Sequence, residues 1–82
     1  MYRVVLTARA IRDLDRMDES ARRQIGAKLR EYAQDPISNA RKLANPTIGT
    51  WRFRIGDYRV VFDIEDDTVV VLRLGHRRDI YR

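Results

Sequence analysis

Arginines 52, 54 and 59 stand on either side of Gly56-Asp57, in the run Trp51-Arg52-Phe53-Arg54-Ile55-Gly56-Asp57-Tyr58-Arg59. A period of two sends Trp51, Phe53 and Ile55 to one side of an extended strand and Arg52 and Arg54 to the other. A two-residue break with glycine first suits a type II′ hairpin turn, which pairs Ile55 with Tyr58, Arg54 with Arg59 and Arg52 with Val61. Two like charges facing each other cost about a few tenths of a kcal/mol or more, so stability alone does not select this arrangement. A bound phosphate would relieve it, because the planar guanidinium fork grips phosphate oxygens two at a time and neutralises charge that develops on them. The competing reading is a solvated polar hairpin face. Against it stands the lack of an acidic residue near the turn on that face, Asp63 being the nearest.

A second group of reactive side chains closes the sequence: His76-Arg77-Arg78-Asp79-Ile80-Tyr81-Arg82. If Gly75 bends the chain, His76, Arg77 and Tyr81 join the hairpin arginines around one phosphate, with Arg78 and Arg82 as outer contacts. The alternative is an ordinary basic terminus with Ile80 or Tyr81 docked on the core. Arginine stays protonated at physiological pH and makes a poor base, so any proton transfer falls elsewhere. His76 is the first candidate for general base or acid, since imidazole is the side chain that ordinarily titrates between pH 5 and 8. Tyr81 is a candidate acid or a stacking platform for a base.

The composition agrees with a polyanionic target. Seventeen basic residues face twelve acidic ones, for a formal charge of +5, and all but Lys28 and Lys42 of the basic residues are arginines. Without cysteine there is no disulfide, thiolate nucleophile or cysteine zinc site, and a single histidine makes a histidine-built metal site implausible. No cofactor or metal is expected. No apolar run approaches the ~18 residues of a membrane span, and the expectation is a soluble cytoplasmic protein. A chain of 82 residues fits one domain, residues 1–82, with a core small enough that a tight partner would add to its stability.

Several elements must position these groups. Tyr2 to Leu6 reads as a first strand. Thr7 sits where a helix N-cap belongs, followed by Ile11, Leu14 and Met17 at helical spacing. Asp18 caps a second helix carrying Ile25, Leu29, Tyr32 and Ala33, which Asp35-Pro36 stops. Residues 37–50 read as a loop punctuated by Ser38, Asn39, Asn45, Pro46 and Gly49, with Leu43 as a core anchor. Strands follow over 51–55, 58–64 and, after the acidic break Glu65-Asp66-Asp67, 68–74, the last apolar enough to lie centrally. The expected fold is α+β in the order β-α-α-β-β-β, with two N-terminal helices on one face of a small, twisted, mainly antiparallel sheet.

Arg41-Lys42-Leu43, the run from Gly49 to Phe62, and Gly75-His76-Arg77-Arg78-Asp79-Ile80-Tyr81 together resemble the RelE/ParE superfamily of bacterial and archaeal toxins, over nearly the whole chain. The resemblance implies a RelE-like microbial ribonuclease fold and the toxin of a type II toxin-antitoxin system. It further implies a ribosome-dependent endoribonuclease that cleaves messenger RNA in the decoding site by 2′-hydroxyl attack on the adjacent phosphate. Carried over by position, Arg52, Arg54, Arg59, Arg77 and Tyr81 match the superfamily's basic and tyrosine set, and His76 stands where histidine or lysine is common. Implied partners are a cognate antitoxin, the ribosome with its message, and operator DNA bound only as the toxin-antitoxin complex. Two other readings share parts of this pattern: a ParE-like inhibitor of DNA gyrase without nuclease activity, and a non-catalytic RNA-binding module.

Overall fold

In the computed structural model, which describes residues 2–44 and 47–81, the chain runs β1 (Arg3–Leu6), α1 (Ala8–Asp15), α2 (Glu19–Tyr32), α3 (Pro36–Asn39), β2 (Ala40–Lys42), β3 (Trp51–Ile55), β4 (Tyr58–Glu65) and β5 (Thr68–His76). The strands form one sheet in the order β1-β5-β4-β3-β2, parallel at β1–β5 and antiparallel elsewhere. This is the expected α+β architecture with two additions, α3 and β2, inside the segment read as loop. Pro36 both ends the preceding helix and opens α3, where its missing N–H costs nothing. β2 is three residues long and pairs with β3 alone, too short for alternation to register in the sequence.

Both long helices start as their caps dictate. Thr7 Oγ1 accepts from Ala10 N at 3.2 Å and Asp18 Oδ1 from Ala21 N at 2.8 Å. Ile25, Leu29 and Ala33 of α2 and its end are buried as their spacing requires, and Tyr32 packs against Phe53 with ring centroids 5.1 Å apart. The register of α1 differs from expectation: Ala10, Leu14 and Met17 meet the core, while Ile11 is 49% exposed. The reason is Asp13, whose Oδ2 accepts from Leu74 N at 3.1 Å. β1 pairs with β5 only as far as Leu6–Val71, so β5 beyond that point would have an open edge. Thr7 and Asp13 cover it, Thr7 Oγ1 donating to Leu72 O at 3.1 Å. Turning α1 to do so exposes Ile11.

The core lies between the helices and one sheet face, centred on Phe53, Val60, Phe62, Val69, Val71 and Leu74. Phe53 and Phe62 stack at 4.2 Å between centroids. Leu43, expected to anchor this core, is instead half-buried in the β2–β3 loop. That loop folds over the other sheet face, where Gly49 presses against Val61 and Leu72 so closely that a Cβ would overlap Val61. Thr50 N, at the loop's end, donates to Asp63 Oδ1 at 2.8 Å. The remainder of that outer face carries the arginines.

Candidate functional site

The β3–β4 hairpin has the register its sequence implied: Ile55 opposite Tyr58, Arg54 opposite Arg59, Arg52 opposite Val61. Gly56 takes φ +57°, and Asp57 has no positive φ, as a type II′ turn requires. β2 adds a second pair of facing arginines, Arg41 against Arg52. Asn39, Arg41, Arg52 and Arg54 line a concavity of about 210 Å³. Among the described residues the ion pairs are Arg9–Asp13, Arg23–Glu19, Lys28–Glu31 and Arg77–Asp57, none of which engages Arg41, Arg52, Arg54 or Arg59.

Arg59 differs from its neighbours in being only 7% exposed. Its partner across β5 is Gly75, which has no side chain to compete for the space. Nη1 donates to Gly56 O and Tyr58 O, both at 2.9 Å, which locks the guanidinium to the turn. Burial lowers its pKa from the ordinary arginine value, and the charges of Arg54, Arg52 and Arg77 lower it further, against an opposing effect of Tyr81. Those are the residues that the sequence assigned to one site. A buried cation whose neighbours are cations is a standing demand for an anion.

The tail turns back after His76 O, which accepts from Asp79 N at 2.9 Å and Ile80 N at 3.1 Å. Ile80 is buried, Arg73 Nη1 reaches Ile80 O at 3.3 Å, and Arg77 N donates to Asp57 O at 2.7 Å. These bonds bring the Tyr81 hydroxyl within 3.3 Å of Arg52 Nη1, where it accepts. Arg77 Nε stands 3.8 Å from Asp57 Oδ1 beside the turn. Thus Arg52, Arg54, Arg59, Arg77 and Tyr81 come together, whichever of the two tail readings is preferred, because Ile80 docks on the core and Tyr81 reaches the arginines.

His76 does not join them. Its register partner is Tyr58, on the helix side of the sheet, and the two rings meet edge to face at 5.9 Å. It borders a hollow of about 230 Å³ together with Arg9, Asp13 and Met17. The strand continues through Gly75 to His76, so the expected bend falls one residue later and alternation sends the imidazole away from the arginines. Arg78 is exposed and its backbone N donates to His76 Nδ1 at 3.2 Å. Arg82 lies outside the described residues, as do Asn45 and Pro46. Arg41 and Asn39 are the members that sequence reasoning missed; the basic pair Arg41-Lys42 before Leu43 was the available signal. Among the described residues no group of histidine and carboxylate side chains is arranged to hold a metal ion, and no helix is long and apolar enough to cross a membrane.

A five-stranded sheet backed by two helices is a RelE-like fold, and here its free face carries Arg41, Arg52, Arg54 and Arg59. A family model, ParE toxin of type II toxin-antitoxin system, matches residues 4–81, and the chain belongs to this RelE/ParE toxin superfamily. It is 36% identical to Toxin RelG of Mycobacterium tuberculosis, with 99% of this chain and 97% of that protein covered. Toxin RelE of the same organism is 35% identical over 99% of this chain and 87% of its own length. Among solved structures, a RelBE toxin-antitoxin complex of M. tuberculosis superposes with a TM-score of 0.71 at 34% identity, covering 93% of this chain and 98% of that one. The isolated E. coli RelE toxin shares the fold, with a TM-score of 0.74 at 24% identity over 99% of this chain and 92% of that one.

Proposed function

We propose that this toxin is an endoribonuclease that cleaves messenger RNA in the ribosomal decoding site and so inhibits translation. The observation that carries the proposal is the convergence of Arg52, Arg54, Arg59, Arg77 and Tyr81 on one sheet face, with three of the arginines free of carboxylate partners among the described residues. The 2′-hydroxyl attacks its adjacent phosphorus, the bond to the 5′-oxygen breaks, and a cyclic phosphate and a 5′-hydroxyl result. Arg52 and Arg54 hold the phosphate. Arg59, fixed under the turn, and Arg77 neutralise charge as the phosphorane forms. Tyr81, oriented by Arg52, is the candidate proton donor to the leaving oxygen, and water takes the proton of the 2′-hydroxyl. The position of His76 supports a packing role against Tyr58 rather than a place in proton transfer. Arg78 remains an outer contact for RNA, and Arg82 is proposed as another on its position in the sequence.

A cognate antitoxin follows from the family and from the complexes in which its relatives were solved. Val5, Ile11 and Ile37 offer exposed apolar surface, and the basic face would attract an acidic segment. Operator DNA would be bound only by that complex. The test is cell-free translation followed by primer extension, in which codon-phased cuts are expected and a wholly intact message overturns the proposal.

A second reading rests on the family match itself, which is to the ParE branch, where the same fold inhibits DNA gyrase without cutting RNA. The relatives named RelG and RelE, together with the basic and tyrosine set, favour the first reading. Intact message combined with poisoned gyrase in a supercoiling assay is the outcome that selects the second.

A further inference from the structure

β5 carries one residue more than the strand it pairs with. Phe62 lies opposite Val71 but Val61 lies opposite Arg73, which leaves Leu72 as a bulge. Val71 and Leu74 are both in the core, three residues apart, a spacing that strict alternation forbids. In a regular strand Arg73 would follow Val71 into that core. The bulge re-aims it to the face that carries Arg52, Arg54 and Arg59. Arg52, Val61 and Arg73 then stand in one row across β3, β4 and β5. Arg73 is half-buried, and none of the ion pairs among the described residues engages it. A further cation on a face already crowded with cations costs stability, so stability alone does not select it.

Its Nη1 donates to Ile80 O at 3.3 Å. That carbonyl belongs to the planar peptide unit that leads into Tyr81. Fixing this plane near a chain end, where segments ordinarily fray, fixes the point from which the tyrosine side chain sets out. The Tyr81 hydroxyl meets Arg52 Nη1 at 3.3 Å, so the pair Ile80-Tyr81 is held at both ends by arginines that flank Val61. We infer that Arg73 is a positioning residue, which holds the Tyr81 phenol against the hairpin arginines without touching substrate itself. The inference rests on the nuclease reading for its effect on cutting, whereas the placement of Tyr81 is measurable in a protein that cuts nothing.

The full chain is labelled with 3-fluorotyrosine and followed by fluorine NMR, the Tyr81 line being assigned by its loss in Tyr81→Phe. In Arg73→Gln that line should move to near the position of free 3-fluorotyrosine, while the lines of Tyr2 and Tyr32, which pack against the core, stay in place. Arg73→Met, with a similar apolar stem, should behave alike. Arg73→Lys can still donate to the carbonyl and should hold the line where the wild type has it. Codon-phased cutting should fall about tenfold in Arg73→Gln, within what misplacing a reacting group costs, and less than about threefold in Arg73→Lys. Added to Tyr81→Phe, Arg73→Gln should cost less than about twofold more, because a residue that acts through another is not additive with it. A Tyr81 line unmoved in both Arg73→Gln and Arg73→Met overturns the inference. So does a full tenfold loss in the Tyr81→Phe background, which would make Arg73 a direct contact of the RNA phosphate. If the wild type cuts no message while the line moves, the nuclease reading fails and the positioning role stands; phased cutting with an unmoved line does the opposite.

Discussion

Arg54→Glu should make the protein more stable while destroying its function. Arg54 faces Arg59 directly across the hairpin, and Arg59 is buried and depressed in pKa with the Arg54 charge among the causes. Cross-strand pairs of like charge destabilise, and pairs of opposite charge stabilise, by roughly 0.2–1 kcal/mol each. Arg54 is exposed to solvent, so screening keeps both contributions in the lower half of that range. Replacing repulsion by attraction is therefore worth about 0.5–1 kcal/mol. In a domain of this size ~1 kcal/mol moves the midpoint by ~4–8 °C, so the expected rise in Tm is about 2–8 °C at low salt. Arg54→Gln, which removes the repulsion alone, should give about half of that. Thermal unfolding followed by circular dichroism, repeated in 1 M salt where the screening length falls to about 3 Å, checks the cause, because the gain must shrink. A variant no more stable than the wild type would refute the claim that the arginines are crowded at a cost. A gain that survives high salt would refute its electrostatic origin. Codon-phased cutting by Arg54→Glu should fall at least a hundredfold, since a carboxylate now stands where a phosphate is to bind.

Other consequences can be measured with the same assays. Tyr81→Phe removes the hydroxyl that accepts from Arg52 and should lower cutting by about 10²-fold or more with little change in Tm. His76→Gln should leave cutting within about threefold, because the imidazole packs on Tyr58 on the far side of the sheet, and should cost about 0.5–1.5 kcal/mol in urea unfolding through the lost ring contact. Gly56→Ala places a Cβ at φ +57° and 2.9 Å from Gln24 Nε2, and should destabilise by about 1–2 kcal/mol while loosening the turn carbonyl that Arg59 grips.

What the sequence disclosed, and what it hid, follow from the range of the interactions involved. The hairpin was legible because a two-residue turn fixes register, and register then fixes every pair, including the opposed Arg54 and Arg59. The caps at Thr7 and Asp18 were legible because the bond each makes is three residues long. The face of α1 was not, since Asp13 turns inward to reach Leu74, sixty-one residues away. β2 was hidden by its length, and with it went Arg41, whose place in the cluster depends wholly on pairing with Arg52. The burial of Arg59 also escaped, because it needs Gly75 alongside, a neighbour that only the β4–β5 pairing supplies. The side of the sheet that His76 takes was hidden for a related reason: it depends on whether β5 ends before or after Gly75.

The pairing of the first strand with the last has a bearing on how a cell survives making such a protein. Arg3 to Leu6 lie beside Thr68 to Val71, so β1 finds its neighbour only after most of the chain has been synthesised. Arg52 gains its Tyr81 contact later still. Closure of the sheet and grouping of these side chains therefore wait for the C-terminal strand, and a partner present during synthesis has that interval in which to bind the chain.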